Sequence, residues 1–155
     1  MRDEDLLSQT LELAVDSVAS GGGPFGAMVV RGGETLSTGV NRVTRDNDPT
    51  AHAEVVAIRE ACRIIGDFSL DGCELFTSCE PCPLCLASAL WARVDRVVYA
   101  ADRDDAARAG FDDREFYELL GKPRDEWPTP VEELRLHSST APFEAWLRNP
   151  GRTPY

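Results

Sequence analysis

Two short segments of this chain, Pro49-Thr50-Ala51-His52-Ala53-Glu54 and Ser78-Cys79-Glu80-Pro81-Cys82-Pro83-Leu84-Cys85, make chemical sense together only if the fold brings them to one point. Cys82 and Cys85 are three positions apart, which on a helix puts both sulfurs on one face of a single turn. His52 adds a nitrogen ligand. Residues two apart on a helix diverge by about 200°, so His52 and Glu54 can share a target only from just off a helix N-terminus. Pro49-Thr50 ahead of an alanine-rich apolar run predicts such a start, with Thr50 or Asp48 as the cap. Pro81 and Pro83 suit the first turn of a second helix, where a missing amide donor costs little. Two helix N-termini should therefore face each other, and their partial positive charges favour thiolate over thiol at Cys82 and Cys85.

One imidazole and two thiolates form a zinc ligand set with a corner left for water, whereas a structural zinc normally takes four protein ligands. Two thiolates neutralise the ion, so it acidifies water less than a three-histidine site does and needs a base beside it. Glu54 is that base. H-x-E followed by P-C-x-x-C is the pattern of zinc deaminases. Two readings from other classes stand beside it. A dithiol redox protein built on Cys82-Pro83-Leu84-Cys85 would leave His52 and Glu54 idle, and a non-catalytic zinc module would need a fourth ligand such as Cys79 or His137. Cys79 extends the motif to C-x-x-C-x-x-C, but Ala89 stands where an iron–sulfur cluster would want another cysteine. Cys79 is expected to be structural, and Cys62 and Cys73 to be small core residues.

The formal net charge of -11 opposes binding to phosphate backbones, so a small neutral substrate is expected and nucleic acid is not. The 155 residues are expected to form one domain, residues 1–155. No apolar run approaches the roughly 20 residues that span a bilayer. With an acidic start, Met1-Arg2-Asp3-Glu4-Asp5, and an odd number of cysteines, the expected location is the cytoplasm. Lys122 is the one lysine, a bias that fits a high-salt cell and a GC-rich genome equally well.

Leu6, Leu7, Leu11, Ala14, Val15 and Val18 recur at helical spacing and predict a first amphipathic helix over 5–19. Phe25 to Arg31 and Glu34 to Val43 read as a hairpin around Gly32-Gly33. The His52 helix, a strand at Cys73–Thr77, the cysteine helix Cys82–Ala92 and a strand at Arg96–Ala101 follow. Strand, helix, strand over 73–101 predicts parallel pairing with a crossover helix. Beyond it, Arg114–Leu120 reads as helix, Val131–Leu136 as strand and Phe143–Leu147 as a short helix.

Beyond the zinc motif, Gly23-Pro24-Phe25-Gly26-Ala27, Asn47-Asp48-Pro49, Tyr99-Ala100-Ala101, Gly110-Phe111-Asp112-Asp113, Pro142-Phe143-x-Ala145-Trp146 and the terminal Tyr155 occur in order. In these the chain resembles the bacterial-type guanine deaminases of the cytidine deaminase superfamily. The resemblance implies an α/β fold of three layers, α/β/α, with a five-stranded mixed sheet. It implies one zinc ion per subunit and a homodimer that exchanges a C-terminal segment of about residues 138–155. It places Phe25 and Trp91 on the purine ring, Asn41 in hydrogen bonding to it, Ala53 among the substrate contacts, Asp113 at the amino group and Tyr155 in the partner's site. From residue type alone, Phe25 and Trp91 are equally core aromatics. Asn41 is disfavoured in a strand and so suits recognition, while Asp113 suits an N-cap or chemistry alike. The implied reaction is hydrolysis of guanine to xanthine and ammonia. A water would lose a proton to Glu54, attack C2 and, through Glu54, protonate N3. The same chemistry on cytosine, a triazine or guanosine is the alternative.

Overall fold

Residues Gly26–Val30 are apolar without alternation, the pattern of a strand covered on both faces. All five are buried in β1 (Gly26–Arg31). The computed structural model, which describes residues 2–155, adds β2 (Glu34–Val40), β3 (Cys73–Cys79) and β4 (Arg96–Ala101) in the order β2-β1-β3-β4. β1 runs antiparallel to β2 and β3, and β3 runs parallel to β4. The helices are α1 (Asp3–Ala19), α2 (Val43–Asp46), α3 (Ala53–Ile65), α4 (Pro83–Trp91), α5 (Arg103–Arg108), α6 (Arg114–Leu120) and α7 (Ala141–Arg148). α4 is the crossover between the parallel strands. The backbone divides into two compact units, one up to Glu118 and one from Leu119 to Tyr155.

Side-chain alternation sorts the first unit into layers. Met28, Val30 and Phe76 point to one face and pack with Leu6 of α1. Ala27, Val29 and Leu75 point to the other and pack with Ala53, Ala57, Ile58 and Ala61 of α3 and Ala89 of α4. The sheet is thus mixed and covered on both faces by helices, an α/β/α arrangement.

Close helix-to-sheet approach demands glycine at two neighbouring points. A Cβ on Gly39 would lie 2.3 Å from the Ala53 carbonyl oxygen and 2.6 Å from the Ala57 nitrogen, and one on Gly26 would lie 2.6 Å from the Thr10 carbonyl oxygen. Gly39 therefore sets how near α3, and with it His52, comes to β2.

Two expectations need correction. Among the described residues the sheet has four strands, not five. Val131–Leu136, read as a strand, follows Pro128 and Pro130 and lies in the second unit, where it forms no ladder and leaves Leu134 84% exposed. Its apolar positions have no sheet face to cover, and a strand without a partner is not stable. The second strand also ends at Val40 rather than Val43, because the Asn41 side-chain oxygen accepts the Val43 amide at 3.1 Å and turns the chain into α2.

Gly39→Ala should therefore push α3 off β2 and destabilise the protein by about 1–3 kcal/mol. Urea unfolding of the variant and the parent protein measures it.

Candidate active site

α3 begins at Ala53, with His52 extended at its cap position (φ -67°, ψ 154°). Asp48 and Thr50, expected to cap the helix, instead bond each other: the Asp48 carboxylate accepts from the Thr50 amide at 2.8 Å and its hydroxyl at 2.7 Å. That turn delivers His52 to the cap position and leaves its ring to other work. Cys82 takes the same role for α4, extended at φ -65°, ψ 168°, with Pro83 as the first helical residue and Cys85 in the first turn.

His52 Nδ1 lies 3.4 Å from Cys82 Sγ and 3.3 Å from Cys85 Sγ. A tetrahedral zinc with N and S bonds of about 2.0 and 2.3 Å separates those donors by about 3.5 Å. The triangle therefore has the dimensions of a zinc site with three protein ligands. All three donor atoms fall within 4.8 Å of one another, and Cys79 stays outside the group. A closed structural tetrahedron is not what these residues build.

The charges around the triangle are tightly coupled. The Cys82 thiol is held down at about 4 by its hydrogen bond from Cys85, with His52 adding to the effect. Cys85 moves the other way, its thiol pushed up by the hydrogen bond to Cys82 and by burial. His52 is raised by its contact with Cys82. Glu54, 6% exposed in the first turn of α3, has its Oε2 3.3 Å from Cys85 Sγ, and burial raises its pKa. A carboxyl pushed toward neutrality can both take and return a proton. Burial likewise pushes the Cys79 thiol up to about 11, which makes it an inert neighbour.

A cavity of about 470 Å³ opens over the triangle, lined among others by Phe25, Asn41, His52, Glu54, Cys82 and Asp113. Asp113 precedes α6, yet the carboxylate that takes the Arg114 amide belongs to Asp112. Asp113 Oδ1 is buried without a hydrogen-bond partner, and burial raises the group's pKa. Of the two roles open to this residue, side-chain capping is thus taken by its neighbour. Ala53, fully buried, sits beside His52 at the start of α3. Trp91 ends α4 at 63% exposure and does not line the cavity, and Tyr155 is an exposed residue of the second unit.

Other lining residues escaped sequence reasoning. Phe111 meets the Phe25 ring edge to face, with centroids 5.0 Å apart and planes at 88°. It belongs to the Gly110-Phe111-Asp112-Asp113 segment, in which residue type alone does not single out the aromatic as a cavity wall. Phe116 has the spacing of an ordinary apolar helix position, which carries no such signal. A Cβ on Gly23 would come within 3.1 Å of Asn41 Cγ, a tight contact that Asn41 would have to yield to.

Residues 1–101 match the family model described as the cytidine and deoxycytidylate deaminase zinc-binding region. The chain is 47% identical to guanine deaminase from Bacillus subtilis over 156 residues, all of both chains. The X-ray structure of guanine deaminase from that organism matches with a TM-score of 0.97 over 100% of this chain and 99% of the other. The tRNA-specific adenosine deaminase of Aquifex aeolicus is 40% identical over 101 residues, 65% of this chain and 67% of that protein. The family match spans both ligand segments in order and the first relative is similar from end to end, so the chain belongs to the cytidine and deoxycytidylate deaminase family and carries its zinc-binding region.

Proposed function

We propose that this protein hydrolyses guanine to xanthine and ammonia with one zinc ion per subunit held by His52, Cys82 and Cys85. The observation that carries the reading is a second carboxylate, Asp113, whose Oδ1 is left unpartnered in the same cavity that holds Glu54. Asp113, Phe111 and Phe116 line the cavity yet lie beyond residues 1–101, the part that matches the family model, which supports a part for them in choosing the substrate. The end-to-end likeness to a guanine deaminase supports that choice.

When bound, zinc supplies Lewis acidity and lowers the cost of forming hydroxide from water. The chain's own residues then divide the work. Phe25 and Phe111 hold the flat ring, and Asn41, its oxygen pinned by the Val43 amide, offers a carboxamide in fixed orientation. Ala53 adds backbone contact beside His52. Glu54 takes a proton from the attacking water as its oxygen bonds to C2, and returns that proton to N3. The second water proton passes to the amino group, the C2–N bond breaks, and ammonia leaves as the carbonyl forms. Asp113 receives the amino group and steadies it as it departs.

Trp91 lies outside this cavity, so its contact with a purine, like that of Tyr155, is assigned to a homodimer in which residues 138–155 are exchanged. Exposed Leu90 and Trp91 on α4 and Phe143 and Leu147 on α7 support such burial against a second copy. No described helix is long and apolar enough to cross a membrane, and the five free thiols fit a reducing cytoplasm. A cavity of about 470 Å³ is more than a bare base fills, which keeps guanosine as the second reading unless the exchanged tail excludes its ribose.

Glu54→Ala should lower guanine turnover at least about a thousandfold while zinc content, read by atomic emission, stays at one per chain. Asp113→Asn should lower kcat by about a hundredfold, again with zinc retained, in an ammonia-release assay. Deleting Pro154 and Tyr155 should cut kcat/KM for guanine at least about tenfold, equivalent to about 1.4 kcal/mol, and raise the guanosine rate relative to it.

A further inference from the structure

Asp113 can serve the amino group only if α6 is held at a fixed height above the loop that carries Cys82, and the structure contains a device that does this. Asp113 is continuous with α6, its carbonyl oxygen accepting the Phe116 amide at 3.0 Å and the Tyr117 amide at 3.4 Å. One turn along, the Tyr117 hydroxyl donates to the carbonyl oxygen of Pro81, the residue before Cys82. The Tyr117 ring lies beneath the Arg103 guanidinium, 3.7 Å from its carbon to the ring centroid. Arg103 in turn grips Glu80 three times: amide to Oε1 at 3.0 Å, Nε to Oε1 at 3.0 Å and Nη2 to Oε2 at 2.8 Å. Glu80 is itself anchored by its amide on the Ala101 carbonyl at the end of β4.

These groups are more than surface decoration. The Glu80 side chain is only 15% exposed, and a two-pronged guanidinium–carboxylate bond with a stacked ring is rigid in orientation as well as favourable in energy. The clamp ties three separate pieces, the start of α5, the Glu80-Pro81 loop and α6, at the point where the loop enters the ligand Cys82. Glu80 also lines the cavity, but its carboxylate is taken up by Arg103, and neither Arg103 nor Tyr117 is among the lining residues.

Resting on the guanine reading above, we infer that Arg103 and Tyr117 are positioning residues that set Asp113 over the substrate amino group through the Glu80 and Pro81 loop. Loss of the clamp lets α6 drift, and a displacement of about 1 Å can cost about a hundredfold in rate.

Tyr117→Phe removes one hydroxyl and keeps the ring, and Arg103→Lys keeps the charge but loses the fork and the stacking. In the zinc-loaded protein each should lower kcat for guanine about ten- to a hundredfold, with KM changed less than about threefold and zinc retained at one per chain. In an Asp113→Asn background, Tyr117→Phe should add less than about a twofold further loss, because both changes remove the same contribution. Multiplying losses, or zinc lost in step with activity, would assign the clamp to general structure and overturn the inference. Hydrogen exchange needs no substrate: the Phe116 and Tyr117 amides should exchange at least about tenfold faster in Tyr117→Phe while those of α4 do not change. Unaltered exchange sinks the clamp whatever the substrate, whereas faster exchange in Tyr117→Phe together with a parent protein inert toward guanine sinks only the guanine reading.

Discussion

The structure depends on one approach: an imidazole nitrogen and two sulfurs brought within 3.4 Å at the opposed N-termini of α3 and α4. Three soft, partly charged donors repel or compete for a proton unless something positive holds them. Helix N-termini supply part of that, and a divalent ion supplies the rest. The mutual approach of His52, Cys82 and Cys85 is the signature of a site whose donors converge on a point that an ion can occupy. A zinc ion also binds the folded chain alone, so its binding free energy becomes folding free energy.

Both helices reach that point because both lie on the same face of the sheet. Their buried positions there are small, Ala53, Ala57, Ala61 and Ala89, and the opposing strand offers Gly39. Small side chains trade hydrophobic area for nearness. On the other face, where α1 packs, Leu6, Met28 and Phe76 provide the bulk that the catalytic face gives up. Acid groups then accumulate around the cavity: Glu54 is buried and Asp113 keeps an unpartnered oxygen. Burial raises the pKa of both groups, and a cavity rich in acidic side chains suits a neutral base better than a phosphate. Arg103, bound to Glu80 and stacked on Tyr117, neutralises the carboxylate nearest the Cys82 loop.

Much of this was legible from residue spacing. Three-residue spacing brings Cys82, at the cap, and Cys85, in the first turn, to one helix end, and His52 with Glu54 converge only off a helix end, so the two N-termini had to meet. The misreadings have a common cause. Val131–Leu136 carries strand-like residues but finds no ladder, because strand formation is decided by a neighbour and not by the segment. Asp48 and Thr50 carry capping chemistry but spend it on each other, and Asp113 looks like a cap while Asp112 takes the amide. A short polar side chain has several backbone groups in reach, and sequence does not say which it will choose. Phe111, though part of a recognisable segment, and Phe116 carry no mark of their place, since an aromatic that walls a cavity is written with the same letter as one that fills a core.

The sequence by itself determined the donor set, the acidic residue Glu54 beside it and the alternation of strand and helix around them, because each follows from local periodicity and ligand chemistry. Only the tertiary structure decided that the sheet has four strands, that Asp113 keeps an unpaired oxygen beside Glu54, and that Arg103 and Tyr117 lock the Pro81 loop to α6. Those outcomes are contacts between segments far apart in the chain, and no window of neighbouring residues contains the geometry that selects among them.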